Sequence, residues 1–408
     1  MIKRKIINDP IYGFITIPDG IIYKLIEHPY FQRLRRIQQL GISSLVYPGA
    51  IHTRFHHAIG AMHLMQNAID TLRSKGIEIT DEESESAKIA ILLHDIGHGP
   101  FSHILEHSIV HGVIHEDLSA MIMERLNKEF KGKLTQAIQI FRNQYHKKFL
   151  HQLVSSQLDV DRLDYLTRDT FFTGVSEGVI GYDRIIKMLT VAKGNLVVEA
   201  KGIYSIEKFI IARRLMYWQV YLHKTVLAGM ELLVHILQRA KELADEKIEL
   251  FCTPAFREFL YNHHTKKDFA KNPNLLDTFA QLDDYDVLSC IKVWMNHKDF
   301  VLSVLCKWLI NRHLYTIKIQ KAPYTKKQVE DLQKIAKRKY NISAKEMKYF
   351  VFSDEVVNDV YNSHAVHINI LAPDGTITDF TKASDNLNAS VLDKVTRKYF
   401  VCYPKGMV

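Results

Sequence analysis

Apolar residues recur at intervals of three and four along most of the chain, the spacing of helices with one buried face. The pattern predicts helices over Ile21–Glu27 and Phe31–Gln39, parted at His28-Pro29, and over Arg54–Arg73. Thr80-Asp81-Glu82-Glu83 spells a capping box, so the next helix starts there and runs to His94-Asp95. More helices are expected over His115–Lys128, Leu134–Gln144, Phe149–Gln157 and Asp161–Phe172, then one long helix over Ile206–Ala244 interrupted only weakly by Gly229, then several within Pro254–Arg312. Gly41–Thr53 reads as a loop with a turn at Pro48-Gly49. Period-two segments are few: Phe14–Ile17, and Asn195–Ala200 in a small hairpin. After about His313 the pattern changes. Leu314–Ile319, Tyr349–Phe352 and Lys398–Tyr403 are strand-like, and His367–Leu371 and Thr376–Phe380 flank the turn Pro373-Asp374-Gly375. The expected fold is mainly α: a helical body over residues 1–312, with a core at about 50–170, followed by a small α/β region over 313–408.

Composition narrows the class. The 408 residues are 47% hydrophobic, enough to bury a large core. Lys and Arg outnumber Asp and Glu by 54 to 45, a net +9 that suits a polyanionic partner such as a nucleotide. Nucleic acid fits the charge, but no basic motif interleaved with aromatics supports it. Four scattered cysteines without a CxxC point to reduced thiols and a cytoplasmic protein. The start MIKRKIINDP lacks the apolar stretch of a signal peptide, and no apolar run of about 18 residues exists, so no membrane span is expected. Histidine is the anomaly: of 21 in the chain, ten lie between His52 and His115. Buried histidines need partners, and such density suggests metal or phosphate chemistry.

The densest stretch is Ile89–His103, IAILLHDIGHGPFSH. An apolar helix delivers the adjacent pair His94-Asp95, Gly97 and Gly99-Pro100 break it, and His98 and His103 follow. Imidazole with carboxylate suits Fe, Mn, Zn, Co or Ni, whereas Mg favours oxygen ligands. Successive helical residues point about 100° apart, so both reach one ion only near a helix end. Two other segments add candidates. Arg54 and His57 share a helix face. Asp161, Tyr165 and Asp169 fall at i, i+4 and i+8, a poor core seam and a good pocket wall, while Asp164 and Arg168 read as ordinary ion-pairing residues.

The ordered set His57, His94-Asp95 and Asp161 resembles the HD superfamily of metal-dependent phosphohydrolases. Gln39-Leu40-Gly41, His52-Thr53-Arg54-Phe55-His56-His57, HDIGHGPFSH and DVDRLDYLTRD are most similar to its deoxynucleoside triphosphate (dNTP) triphosphohydrolase branch, which includes the vertebrate sterile-alpha-motif-and-HD-domain dNTPase and bacterial relatives. The likeness covers about residues 5–225, with no sterile-alpha-motif domain expected ahead of it. It implies a divalent ion held by His57, His94, Asp95 and Asp161. It places His98 and His103 at the α-phosphate, assisting attack and protonating the leaving 5′-oxygen, with His115 and Glu116 orienting them. Arg54 and Arg162, with Lys201 as a weaker candidate, would bind phosphate. Arg213 and Tyr221 would hold the γ-phosphate and flank the sugar, and Gln39, Leu40, Tyr165 and Asp169 would contact the nucleoside, the Tyr165 ring excluding a 2′-hydroxyl. Lys5, Asn8, Glu27, Gln32 and Arg35 resemble a regulatory site for a dNTP or GTP in tetrameric relatives, with Glu27 where the vertebrate enzyme has Asp. A homo-oligomer, dimer or tetramer, is implied likewise.

The leading expectation is a dGTPase-like enzyme that cleaves dNTPs to deoxynucleoside and triphosphate. Other HD phosphohydrolases, such as a 5′-nucleotidase or a signalling-nucleotide hydrolase, and a nucleotide- or nucleic-acid-binding protein are the alternatives.

Overall fold

The computed structural model describes residues 5–101, 104, 112–358, 367–385 and 396–407. Its helical body is organised on three helices. Arg54–Ser74 packs through Ala58, Ala61, Met62, Met65 and Ala68. Against it lies Asp81–Leu93, whose residues Ile89 to Leu93 are wholly buried. Thr80 and Glu83 cap this helix reciprocally, satisfying two of its free N–H groups. The third helix, Val160–Thr173, also packs on Arg54–Ser74. Its start is capped by Asp159, which accepts the Arg162 N–H, and its end by Gly174 in the left-handed region.

Helices pave the chain from Lys224 to Ile310, and a mixed α/β region follows. There Thr396–Tyr403 is the centre of a three-stranded antiparallel sheet between Thr316–Gln320 and Phe352–Asn358. The hairpin Leu189–Ala192/Asn195–Glu199 does not stand alone. Asn369–Leu371 pairs with it in parallel, Val198 opposite Ile370, and Ile377–Asp379 completes the sheet.

Three expectations need correction. The helix over Phe31–Gln39 stops at Gln32 and continues as a single 3-10 turn, Arg33–Arg36. Beyond it the backbone is extended, because its N–H groups are taken by distant partners: Gln38 N donates to Asp284 and Gln39 N to the His52 carbonyl. The long helix over Ile206–Ala244 is two, Ile203–Met216 and Lys224–Asp245. A wide turn at Tyr217–Tyr221 and a cap by the His223 side chain on Thr225 N separate them. Gly229 is not the break. It lets the turn Gly41–Leu45 sit close, since a Cβ there would lie 3.0 Å from Ile42. Finally, Tyr349 ends a 3-10 turn, and the strand begins at Phe352. All four cysteines are free thiols. Among the described residues no single helix is long and apolar enough to cross a membrane.

The contact between Lys224–Asp245 and the C-terminal sheet buries two titratable side chains one turn apart. His235 sits among Tyr315, Tyr349 and Phe352, where burial and the Lys348 charge push it down to about 4. Burial, with the Asp354 carboxylate, pushes Glu231 up from 4.5 to about 7. A carboxyl whose folded pKa is raised supports the fold below its unfolded value, and that support is lost as pH rises through the folded one. The stability of the unaltered protein relative to Glu231→Gln should therefore fall between about pH 5 and 7, His235 contributing equally to both proteins. Thermal melts across this range check it; parallel Tm curves for the two proteins would refute the assignment.

Candidate metal centre and substrate cavity

The Asp81–Leu93 helix ends where the chemistry starts. His94 caps it, and Ile96 N and His98 N fold back on Leu93 and Asp95 as a turn. Gly97 does more than end a helix. A Cβ there would stand 2.3 Å from the His115 carbonyl and from Ser119 N, so only glycine lets the His115–Glu129 helix close on the turn. Gly97 N donates to Ser119 Oγ at 2.9 Å, and His115 stacks on His98 with ring centres 3.8 Å apart.

Three elements aim side chains at one point. Asp161 Oδ1 is 3.1 Å from His57 Nε2 and 3.4 Å from His94 Nε2. Asp95 Oδ1 is 3.3 Å from His94 Nε2, and Asp95 Oδ2 is 3.9 Å from His57 Nε2. His57 Nε2 and His94 Nε2 are buried and lack the alignment of a hydrogen bond. Their other nitrogens are committed: His57 Nδ1 to Asp164 at 2.8 Å, and His94 Nδ1 to the Ile91 carbonyl at 2.6 Å. A carbonyl only accepts, so His94 carries its proton on Nδ1 and presents a lone pair at Nε2. Two such lone pairs and two carboxylates fit a divalent metal, and His57, His94 and Asp161 offer ligand atoms within 4.8 Å of one another.

The electrostatics agree. Burial disfavours charge on His57, but the close carboxylates of Asp161 and Asp164 outweigh it and hold its pKa up at about 10. Positive charge belongs at this point. Burial opposes ionisation of Asp95 too, yet His94 and Arg54, with a hydrogen bond from His98, keep it well below the carboxylate range. His98 goes the other way: burial, then the Arg54 charge, push it far down, so it is a neutral imidazole. Asp95 Oδ1 also lies 3.4 Å from His98 Nε2, and Asp95, His98 and His115 form a second convergent group.

Behind His57 runs a buried chain of charges. Arg168 binds both oxygens of Asp164 at 2.9 Å and reaches Asp9 of the N-terminal hairpin at 2.7 Å. Asp164 and Arg168 are thus the ion pair the sequence suggested, but a buried one that fixes the His57 ring. Gly60 makes room for it, since a Cβ would fall 2.0 Å from Asp164 Oδ1.

Beside the metal set lies a cavity of about 300 Å³ lined by Gln39, Leu40, Arg54, Phe101, Tyr217 and Tyr221. Arg54 joins the two, its guanidinium bonded to Asp95. Gln39 Oε1 is buried without a partner. Asp169 accepts from Tyr221 OH at 2.7 Å and lies 2.8 Å from His52 Nε2, while Tyr165 packs on Tyr221 with ring centres 6.3 Å apart. Burial pushes the Tyr165 phenol up, and the nearby Arg213 and Arg162 charges oppose it. Arg213 is buried and bonded to Gln157 at 2.8 Å, not on a solvated face.

Other candidates are placed differently. Arg162 spends its charge on Asp159 at 2.6 Å. Lys201 is exposed and paired with Glu199, so no contact ties it to the cavity. Glu116 is 3.3 Å from His115 Nε2. His103 lies outside the described residues. Of the regulatory set, Lys5 and Asn8 are on the exposed first strand, Lys5 donating to Tyr23 OH at 2.7 Å. Gln32 accepts from Arg35 Nε at 2.9 Å, and Arg35 stacks on Phe55 at 3.6 Å. The Glu27 charge acts on both Lys5 and Arg35. Sequence reasoning missed His52, Phe101 and Tyr217 as cavity-region residues. His52 and Phe101 stood inside quoted motifs; Tyr217 carried no signal.

Helices that converge two histidines and two aspartates beside a cavity joined to them by Arg54 fit a metal-dependent hydrolase of phosphate esters. Residues 54–169 match the HD domain and 180–253 the HD associated region. A crystal structure of a phosphohydrolase from Bacteroides thetaiotaomicron is 53% identical, with a TM-score of 0.96 over 99% of this chain and 100% of that one. The Bacillus subtilis protein YwfO is 35% identical over 77% of this chain and 71% of its own. The deoxynucleoside triphosphate triphosphohydrolase SAMHD1 homolog of Dictyostelium discoideum is 33% identical over 54% of this chain and 46% of that protein. The chain belongs to the HD-domain phosphohydrolases.

Asp161→Ala should leave the protein folded but strip its metal, as elemental analysis after dialysis would record; full metal content would remove Asp161 from the ligand set. Asp164→Asn, which loosens the His57 ring, should weaken metal retention by roughly 10–100-fold.

Proposed function

We propose that this protein hydrolyses dNTPs to the deoxynucleoside and inorganic triphosphate. The observation that carries this reading is the cavity in which Gln39 and Leu40 face Tyr217 and Tyr221, with Arg54 reaching from its wall to Asp95. The likeness to triphosphohydrolases of the SAMHD1 kind supports it.

His57, His94, Asp95 and Asp161 would hold a divalent ion, which would polarise a phosphate oxygen and acidify a water. The chain's own residues do the rest. Arg54 and Arg213 offset the triphosphate charge. His98, neutral and stacked on His115, accepts a proton or donates a hydrogen bond at the α-phosphate; a polyanion beside it raises its pKa toward that of a proton donor. Asp169, held by His52 and Tyr221, and Gln39 bind the 3′-hydroxyl. The Tyr165 ring packs at C2′ and leaves no room for a 2′-hydroxyl. A regulatory nucleotide at Lys5, Asn8, Glu27, Gln32 and Arg35, and a homo-oligomer to carry it, belong to the same reading.

Metal-loaded protein given each dNTP should release triphosphate as first product, resolved by ion chromatography. Orthophosphate or pyrophosphate as first product would sink the proposal and favour another HD phosphohydrolase. Tyr165→Ala should raise ribonucleotide turnover relative to deoxyribonucleotide by about tenfold or more; an unchanged ratio would refute the packing argument.

A further inference from the structure

The catalytic turn is tied to a part of the chain far outside the HD domain. Asp284, buried at the start of the helix Asp284–Trp294, accepts two backbone N–H groups: Gln38 N at 2.8 Å on Oδ2, and Phe101 N at 2.9 Å on Oδ1. Gln38 immediately precedes the Gln39-Leu40 wall of the cavity, and Phe101 is part of the facing wall. Phe101 has a φ of 52°, a left-handed conformation that a bulky residue adopts only when its surroundings impose it. Its ring is buried and packs over Gly41. The other end of the catalytic turn meets the same place. Arg33, fully buried, donates to the Ile96 carbonyl at 2.7 Å and to the Leu282 carbonyl at 3.1 Å. Residues 282 to 284 thus receive a guanidinium from one side and give a carboxylate to the other, with the turn from His94 to Phe101 between.

We propose that Asp284 is a positioning residue for substrate: its two carboxylate oxygens set the spacing between the Gln39 wall and the Phe101 wall. The proposal rests on the reading of that cavity as the nucleotide site. A carboxylate is required because it offers acceptors on both oxygens, whereas an amide offers one acceptor and turns a donor toward the second N–H.

The test is Asp284→Asn beside Asp283→Asn. Asp283→Asn keeps an oxygen for the cap on Tyr285 N and removes the charge paired with Arg36, so it alters the same corner without touching Gln38 or Phe101. Asp284→Asn should raise KM for dNTP about tenfold while kcat stays within about threefold. Metal content should be unchanged, and amide hydrogen exchange should quicken in peptides covering Gln38 and Phe101. Asp283→Asn should keep the KM of the unaltered protein. Equal KM shifts in both variants, an unshifted KM in Asp284→Asn, or unchanged exchange at those amides would each overturn the proposal. Absence of dNTP turnover in the unaltered protein would overturn the dNTP reading alone, because the exchange measurement needs no substrate and still decides the clamp.

Discussion

Everything around the metal centre answers one electrostatic demand: carboxylates brought together out of water must be met by positive charge. Asp161 and Asp164 flank His57, and Asp95 stands across from it. Buried charges of one sign are tolerable only when paired and hydrogen-bonded. The chain divides the task. Arg54 neutralises Asp95 and Arg168 neutralises Asp164, which leaves Asp161 and the two open imidazole nitrogens facing a position suited to a cation.

That division explains features that look unrelated to catalysis. The N-terminal hairpin belongs to the metal centre because Asp9 supplies the far end of the Arg168 pair and, with its other oxygen, holds the turn at Ile11 and Tyr12. Gly60, in the middle of a helix where glycine costs about 1 kcal/mol relative to alanine, is the space that the Asp164–Arg168 pair occupies. Removing one member of such a buried pair leaves its partner's charge stranded, a loss of about 3–5 kcal/mol.

What was legible in the sequence was local. Thr80 and Glu83 named a helix start, and the spacing of Asp161, Tyr165 and Asp169 placed three polar side chains on one face of a helix. The motif order carried the family. What was not legible depends on partners far away in the chain. Arg33 reads as the polar face of a helix, yet it is buried against carbonyls of residues 96 and 282. The periodicity through Tyr217 continues unbroken, although Tyr221 leaves the helix to reach Asp169. Glu199 beside Lys201 was visible, but nothing local said that the lysine would be held by it at the surface.

The turn at residues 282 to 284, which meets both Arg33 and Phe101, lies late in the chain. A ribosome releases the metal-binding motifs, through Asp161, well before the turn at residues 282 to 284. Until that turn emerges, Arg33 has only part of its acceptor set and Phe101 has no partner for its N–H. Both contacts thus wait on a segment more than 100 residues beyond Asp161. Gln38 and Phe101 meet their shared acceptor only with the helix that begins at Asp284, so the two sides of the cavity are joined by one of the last parts of the helical body to be made.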